Sequence, residues 1–185
     1  MAGGCVRSVY PILKDDQLIS DKSVLGKWVS TAGTESVDVQ PGEQESTLKV
    51  LYTEENGKKA NLEARLGKIG DLTIAEFHTA DLGPDVSDVY KTHLLPLYSF
   101  IVIQQTAPHL VFSMIQTKDD QFKKIVAQHP DELKVLQKDE SVVTSSTDDF
   151  QAFLLRHIKD EGFLSDKVVW VRPGDSTTQP AAPQK

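Results

Sequence analysis

The sequence predicts a mainly β fold: an antiparallel meander closing into a barrel, with two peripheral α-helices. Three observations carry this. Between residues 25 and 116 apolar side chains recur with period two. The patterned segments are short and divided by Gly, Pro, Asn and Asp turn signals. Helical spacing appears only afterwards, in two stretches.

The clearest strand is residues 47–53, with Leu48, Val50 and Tyr52 on one face and Lys49 and Leu51 on the other. Residues 60–66 alternate as cleanly, setting Ala60, Leu62, Ala64 and Leu66 against Asn61, Glu63 and Arg65. Period-two alternation with one polar face marks an antiparallel sheet wetted on one side. Asn56-Gly57 joins the two, and Asn-Gly usually forms a two-residue type I′ turn. That turn would set Leu51 opposite Leu62 and break the agreement of faces. A three-residue loop, Glu55-Asn56-Gly57, with Gly57 left-handed, instead pairs Val50 with Leu62, Leu48 with Ala64 and Lys49 with Glu63. Burial of one face fixes register, so the three-residue loop is expected.

Residues 72–78 form a strand after Gly70-Asp71, and a shorter pair spans residues 28–31 and 35–39. Residues 97–104 differ: Tyr98, Phe100 and Val102 line one face, Leu97, Ile101 and Ile103 the other. A strand apolar on both sides should be covered on both. Thr106-Ala107-Pro108 turns the chain into residues 109–115, which carry Leu110 and Phe112. A last strand falls at residues 168–171.

Helices are expected near residues 119–128 and 147–160. Phe122, Ile125 and Val126 make the stripe of the first, with Asp119 and Asp120 in its first turn. Ser146 caps the second, Asp149 follows at its third position, and Gly162 stops it. Phe150, Phe153, Leu154 and Ile158 form its stripe. Residues 134–137 and 141–144 suggest a small hairpin between the helices. The expected organisation is an irregular segment over 1–24, one barrel-like domain over 25–172, and a disordered tail over 173–185, where nothing can be buried.

A 185-residue chain suits one core. Its 20 basic against 27 acidic residues oppose binding to nucleic-acid phosphates. No apolar run approaches the ~18 residues of a membrane helix. The single cysteine, Cys5, allows no intrachain disulfide.

Gly26-Lys27-Trp28 matches the Gly-x-Trp signature of the first barrel strand in lipocalins and related calycins, after a short irregular segment and before a run of hairpins. The resemblance covers residues 25–115. It implies that Trp28 closes one barrel end, with Arg172 a candidate for the late arginine that packs on it. The chain departs from the family in lacking Thr-Asp-Tyr, with Asp88-Val89-Tyr90 a distant echo, and in carrying two helices after the main strands. Ala2-Gly3-Gly4-Cys5 resembles the cleavage site of bacterial lipoproteins, with Ala2 where a large aliphatic residue is usual. This implies lipid attachment at Cys5 and a place at the bacterial cell envelope, the alternative being cytoplasmic; membrane contact would be through that anchor only.

Catalytic signatures are missing. There is no Gly-x-Ser-x-Gly, no phosphate-cradling glycine loop and no compact metal motif. Glu76 and His78 share a strand face and could meet His93, but residues two apart on a strand do so by necessity. His129 reads as a helix terminus and His157 as a partly exposed helix flank. The adjacent pairs Asp119-Asp120 and Asp148-Asp149 open helices and read as caps. Trp28, Tyr52, Tyr98, Phe100 and Phe112 are the candidate ligand-binding residues, since a small barrel is either filled or holds one small ligand. The expectation is non-catalytic binding of a small apolar or amphipathic ligand, without cofactor or metal. The alternatives are a solid-cored interaction protein and, behind it, a metal-dependent hydrolase.

Overall fold

The structure, a computed structural model, describes residues 6–80, 87, 94–115, 121–136 and 139–175. Cys5, Asp88, Val89, Tyr90, His93, Asp119, Asp120 and the last ten residues lie outside that set. The N-terminal segment, expected to be irregular, carries two short strands, β1 (Arg7–Ser8) and β2 (Leu18–Ile19), and two 3-10 turns, Asp15–Gln17 and Lys22–Val24. The barrel begins with β3 (Gly26–Ser30), β4 (Ser36–Pro41), β5 (Thr47–Thr53), β6 (Lys59–Ile69) and β7 (Leu72–Thr79). It continues through β8 (Tyr98–Gln105) and β9 (Leu110–Ser113). Helix α1 (Gln121–Gln128), the hairpin β10 (Val135–Leu136) and β11 (Asp139–Val143), and α2 (Thr147–His157) follow, before β12 (Val168–Val171).

Strands β3 to β9 pair consecutively, and β12 enters between β9 and β3. The result is a closed ring of eight strands, all antiparallel. Closure leaves no unpaired edge in the ring. The two helices stand outside it. A separate wing runs from β8 through β1, with which β11 pairs in parallel, to β10.

The β5–β6 hairpin takes the register set by burial. Val50 faces Leu62, Leu48 faces Ala64 and Lys49 faces Glu63. Glu54 and Lys58 close the loop through a 2.8 Å backbone bond, and Gly57 stands at φ +80°. Asn56 Oδ1 accepts from the Lys58 amide at 2.8 Å. A type I′ turn would have turned Glu63 inward and Val50 against it, so the hydrophobic faces outweighed the commonest Asn-Gly geometry.

The sheet has two apolar surfaces. Inside are Val39, Val50, Ala64, Leu66, Ala75, Ile103 and Phe112 with the two tryptophans. Outside, Ile69, Ile74, Phe100 and Val102 meet Phe122, Phe150, Phe153 and Leu154 of the helices. Strands β7 and β8 serve both surfaces, which is why the second reads as apolar throughout. The α2 start is capped as expected: Ser146 Oγ accepts from the Asp149 amide at 3.2 Å and donates to its carboxylate at 2.8 Å. Asp148 pairs with Lys14. Among the described residues no helix is long and apolar enough to cross a membrane.

The N-terminal segment is clamped between α2 and β6–β7. Gln151 of α2 donates to the Ile12 carbonyl at 2.5 Å, and Thr147 to that of Pro11 at 2.6 Å. Gly67 allows the segment to lie flat, since a Cβ there would come 2.6 Å from Leu13. Glu76 holds it electrostatically. Its Oε2 accepts from the amides of Ile12 and Leu13, and its Oε1 is 2.6 Å from Arg65 Nη2 on the facing strand. The Glu76 side chain is 0% exposed and that of Arg65 18%. A buried carboxylate is tolerated here because every oxygen has a charge-assisted or amide partner. Arg65→Met should therefore cost about 3 kcal/mol, near the lower end for an orphaned buried charge because the two amides remain. Urea denaturation of the variant measures it.

Candidate ligand-binding cavity

The barrel interior is not filled. A cavity of about 250 Å³ runs through it, lined almost wholly by aliphatic and aromatic side chains. The lining comes from the inner faces of β4 to β9 and β12, with Val24 at one end and Phe77 and Met114 toward the other. Space exists because small residues face inward on neighbouring strands. Ala64 and Ala75 occupy positions that larger neighbours would otherwise close.

One end is sealed. The chain enters through the 3-10 turn Lys22–Val24, capped by Asp21, whose Oδ1 accepts from the Ser23 amide at 2.9 Å and hydroxyl at 2.6 Å. Trp28 is 1% exposed, and its indole Nε1 donates to the Val24 carbonyl at 2.8 Å. The Arg172 guanidinium lies over the indole, 3.6 Å from the ring centroid. Its Nη1 donates to the Leu25 carbonyl at 2.6 Å and its Nη2 to that of Ser23 at 2.8 Å. A planar fork that stacks and donates at once is an arginine property.

Toward the other end burial falls away. Val37, Tyr52, Leu62, Phe77, Ile101 and Val168 face inward yet stay only half-buried, while Val39, Val50, Ala64 and Leu66 nearer the seal are buried. Tyr52 stacks on Trp170 at 6.5 Å between ring centroids, and Phe112 meets the same indole edge-on at 6.0 Å. The Tyr52 hydroxyl donates to Glu35 Oε1 at 2.5 Å. That bond holds the Glu35 carboxyl below its ordinary value, against the opposing effect of partial burial.

No known protein family, curated protein or solved structure matches this chain. The barrel is consistent with a calycin-like fold. The likeness rests on the architecture, a closed antiparallel barrel of eight strands.

The five aromatic candidates divide between the two surfaces of the sheet. Tyr52 and Phe112 line the cavity, and Trp28 packs at its sealed end. Tyr98 does not line it. That residue sits on the outer face of β8, its ring edge-on to His78 at 5.5 Å. Phe100 borders the cavity but belongs to the outer core, its ring against Phe150 at 5.4 Å. Because β8 is apolar on both faces, alternation grouped Tyr98, Phe100 and Val102 correctly but gave no sign of which side was inside. Sequence reasoning also missed Trp170, the centre of the aromatic wall. Residues 168–171 are apolar on both faces too, and the only signal was its place on the closing strand. Of the conceivable metal trio, Glu76 is committed to Arg65 and two amides, and His78 lies 3.8 Å from Glu63. His157, expected to be partly exposed, is buried.

Trp28→Ala should cost roughly 3–5 kcal/mol. Arg172→Lys should lose stability as well, because an ammonium cannot both cover the indole and reach two carbonyls. Chemical denaturation followed through Trp170 emission tests both, and a silent Arg172→Lys would contradict the clamp. The Tyr52–Glu35 bond has a pH signature. Folding lowers the Glu35 carboxyl, so the bond stabilises at neutral pH. That contribution fades as pH falls below about 4.3, the unfolded value, and through the lower folded value. The stability gap between wild type and Tyr52→Phe should therefore narrow over that window in acid titrations.

Proposed function

We propose that this protein binds one small apolar or amphipathic ligand, without catalysis, inside the barrel. The observation that carries the reading is the 250 Å³ apolar cavity, whose inward-facing side chains remain half-buried toward the unsealed end. A solid-cored barrel would bury those residues completely. Cavities of about 150 Å³ lined by aliphatic and aromatic groups stay dry and take up benzene-sized guests. A larger one of the same chemistry favours a ligand with a compact ring or short chain. Among the described residues, the polar side-chain groups of the lining are the Tyr52 and Ser99 hydroxyls and the Trp170 indole N–H. Affinity would come from desolvated apolar area, with these groups orienting a polar head.

This chemistry predicts a specific dependence on ligand length. In a homologous series of n-alkanols, each added methylene should strengthen binding by about 0.8 kcal/mol, close to fourfold, until the cavity is full. Displacement of N-phenyl-1-naphthylamine, followed by its fluorescence and by Trp170 emission, measures the series. Ile101→Trp should remove binding while the protein stays folded by circular dichroism. Affinity that is flat along the series, or probe binding unchanged in Ile101→Trp, would overturn the reading in favour of a protein whose barrel is only a scaffold.

A further inference from the structure

Away from the cavity, the ends of the two helices converge. Helix α1 closes on His129, whose amide bonds to the carbonyls of Ile125 and Val126 at 3.1 Å. The chain then turns back, with the Glu132 amide on the His129 carbonyl at 3.0 Å. Helix α2 ends at His157, and the Asp160 amide bonds to its carbonyl at 2.9 Å. Three metal-ligating side chains meet as a result. His129 Nδ1 is 3.2 Å from Glu132 Oε1, and His157 Nε2 is 3.4 Å from Glu132 Oε2. A set of ligand atoms, one from each residue, lies within 4.8 Å of one another.

We infer that His129, Glu132 and His157 bind a divalent transition-metal ion of the Zn²⁺ type. A tetrahedral centre with bonds of about 2.0–2.1 Å places its ligand atoms roughly 3.3 Å apart, close to the 3.2 Å between His129 Nδ1 and Glu132 Oε1. The partner of the remaining ring nitrogen points the same way. His157 Nδ1 is 2.6 Å from Asp160 Oδ2. The other ring nitrogen, Nε2, faces the Glu132 carboxylate. The arrangement of carboxylate, histidine and open nitrogen is the one that orients metal-bound imidazoles.

The surroundings suit an ion. The His157 side chain is 5% exposed and packs on Phe153 at 4.5 Å, so it is held by the core. Those of Glu132 and His129 are 26% and 37% exposed, which gives an ion access and room for a water ligand. Arg156 Nη1 lies 2.5 Å from Glu132 Oε2, leaving Oε1 beside His129 as the ligand oxygen. Two imidazoles with one carboxylate favour Zn²⁺ over Ca²⁺ or Mg²⁺, which prefer all-oxygen sets. None of the three residues lines the cavity. The ion would join the ends of α1 and α2 independently of the ligand.

Isothermal titration of the metal-stripped full chain with Zn²⁺ at pH 7 tests this. One ion per chain is expected, with a rise in melting temperature on loading. His129→Ala and Glu132→Gln should each weaken binding at least tenfold. Asp160→Asn should weaken it by roughly 10–100-fold through His157. Binding should weaken as pH falls, because histidine ligands must be deprotonated to hold a metal. His129 and Glu132 are partly exposed, so those variants should stay folded, and circular dichroism checks this. Absence of saturable Zn²⁺ binding by the wild type would overturn the site, as would binding that His129→Ala and Glu132→Gln leave unchanged.

Discussion

The barrel depends on a four-residue strand finding its slot. Strand β12 pairs with β9 through Val168, Val169 and Trp170, and with β3 through Trp170 and Val171. Without it β3 and β9 would be open edges, and the interior would be an exposed apolar sheet. The partners are far apart in sequence, so closure carries a long-loop entropy cost. Arg172 offsets that cost at the next position. It lies over Trp28 and ties the carbonyls of Ser23 and Leu25 to the end of β12. One side chain thus joins the entrance of the chain to its exit and seals the barrel at the same point.

The barrel wall is not uniform. Strands β7 and β8 are covered outside by α1, α2 and the N-terminal segment, whereas β4 and β5 present Asp38, Gln40, Lys49 and Leu51 on their other face. The covered wall has to accommodate polar groups as well as apolar ones. Glu76 lies in the middle of it, buried among aliphatic neighbours, and is tolerable only because Arg65 and two backbone amides complete its shell. Its role is positional. It fixes the segment that α2 then packs on, so the outer core is assembled on an ionic anchor rather than on hydrophobic contact alone.

The cavity follows from the pairing of large and small residues across the inner face. Leu66 opposes Ala75 and Ala64 opposes Phe77, so each small residue leaves room beside a large one. Had leucine stood at both alanine positions, the centre would close. At the sealed end Trp28, Val39 and Val50 are buried. Farther up, the aromatic wall of Tyr52, Phe112 and Trp170 borders open volume. The same strands therefore carry both the sealed end and the cavity wall. The converging histidines stand apart from both, where helix ends meet on the outer layer.

Much of this was determined by the sequence by itself. Period-two alternation placed the strands, and agreement between buried faces selected the register of the 47–66 hairpin over its commonest turn. Ser146 and the stripe from Phe150 to Ile158 located α2, and Gly-x-Trp marked the sealed end. These features are local, or rest on two neighbouring segments whose polar and apolar faces must match. Tertiary structure decided the rest. Where a strand is apolar on both sides, periodicity has no polar face to orient it, so Tyr98 fell outside the barrel and Trp170 inside it. Residues 139 and 147 positions apart meet in the contacts of Gln151 with Ile12 and of Arg172 with Leu25, and no pattern within a segment encodes such pairs. His129 and His157 lie 28 residues apart, the first just past the end of α1 and the second at the end of α2. Only the angle at which those helices end against the barrel brings their rings together.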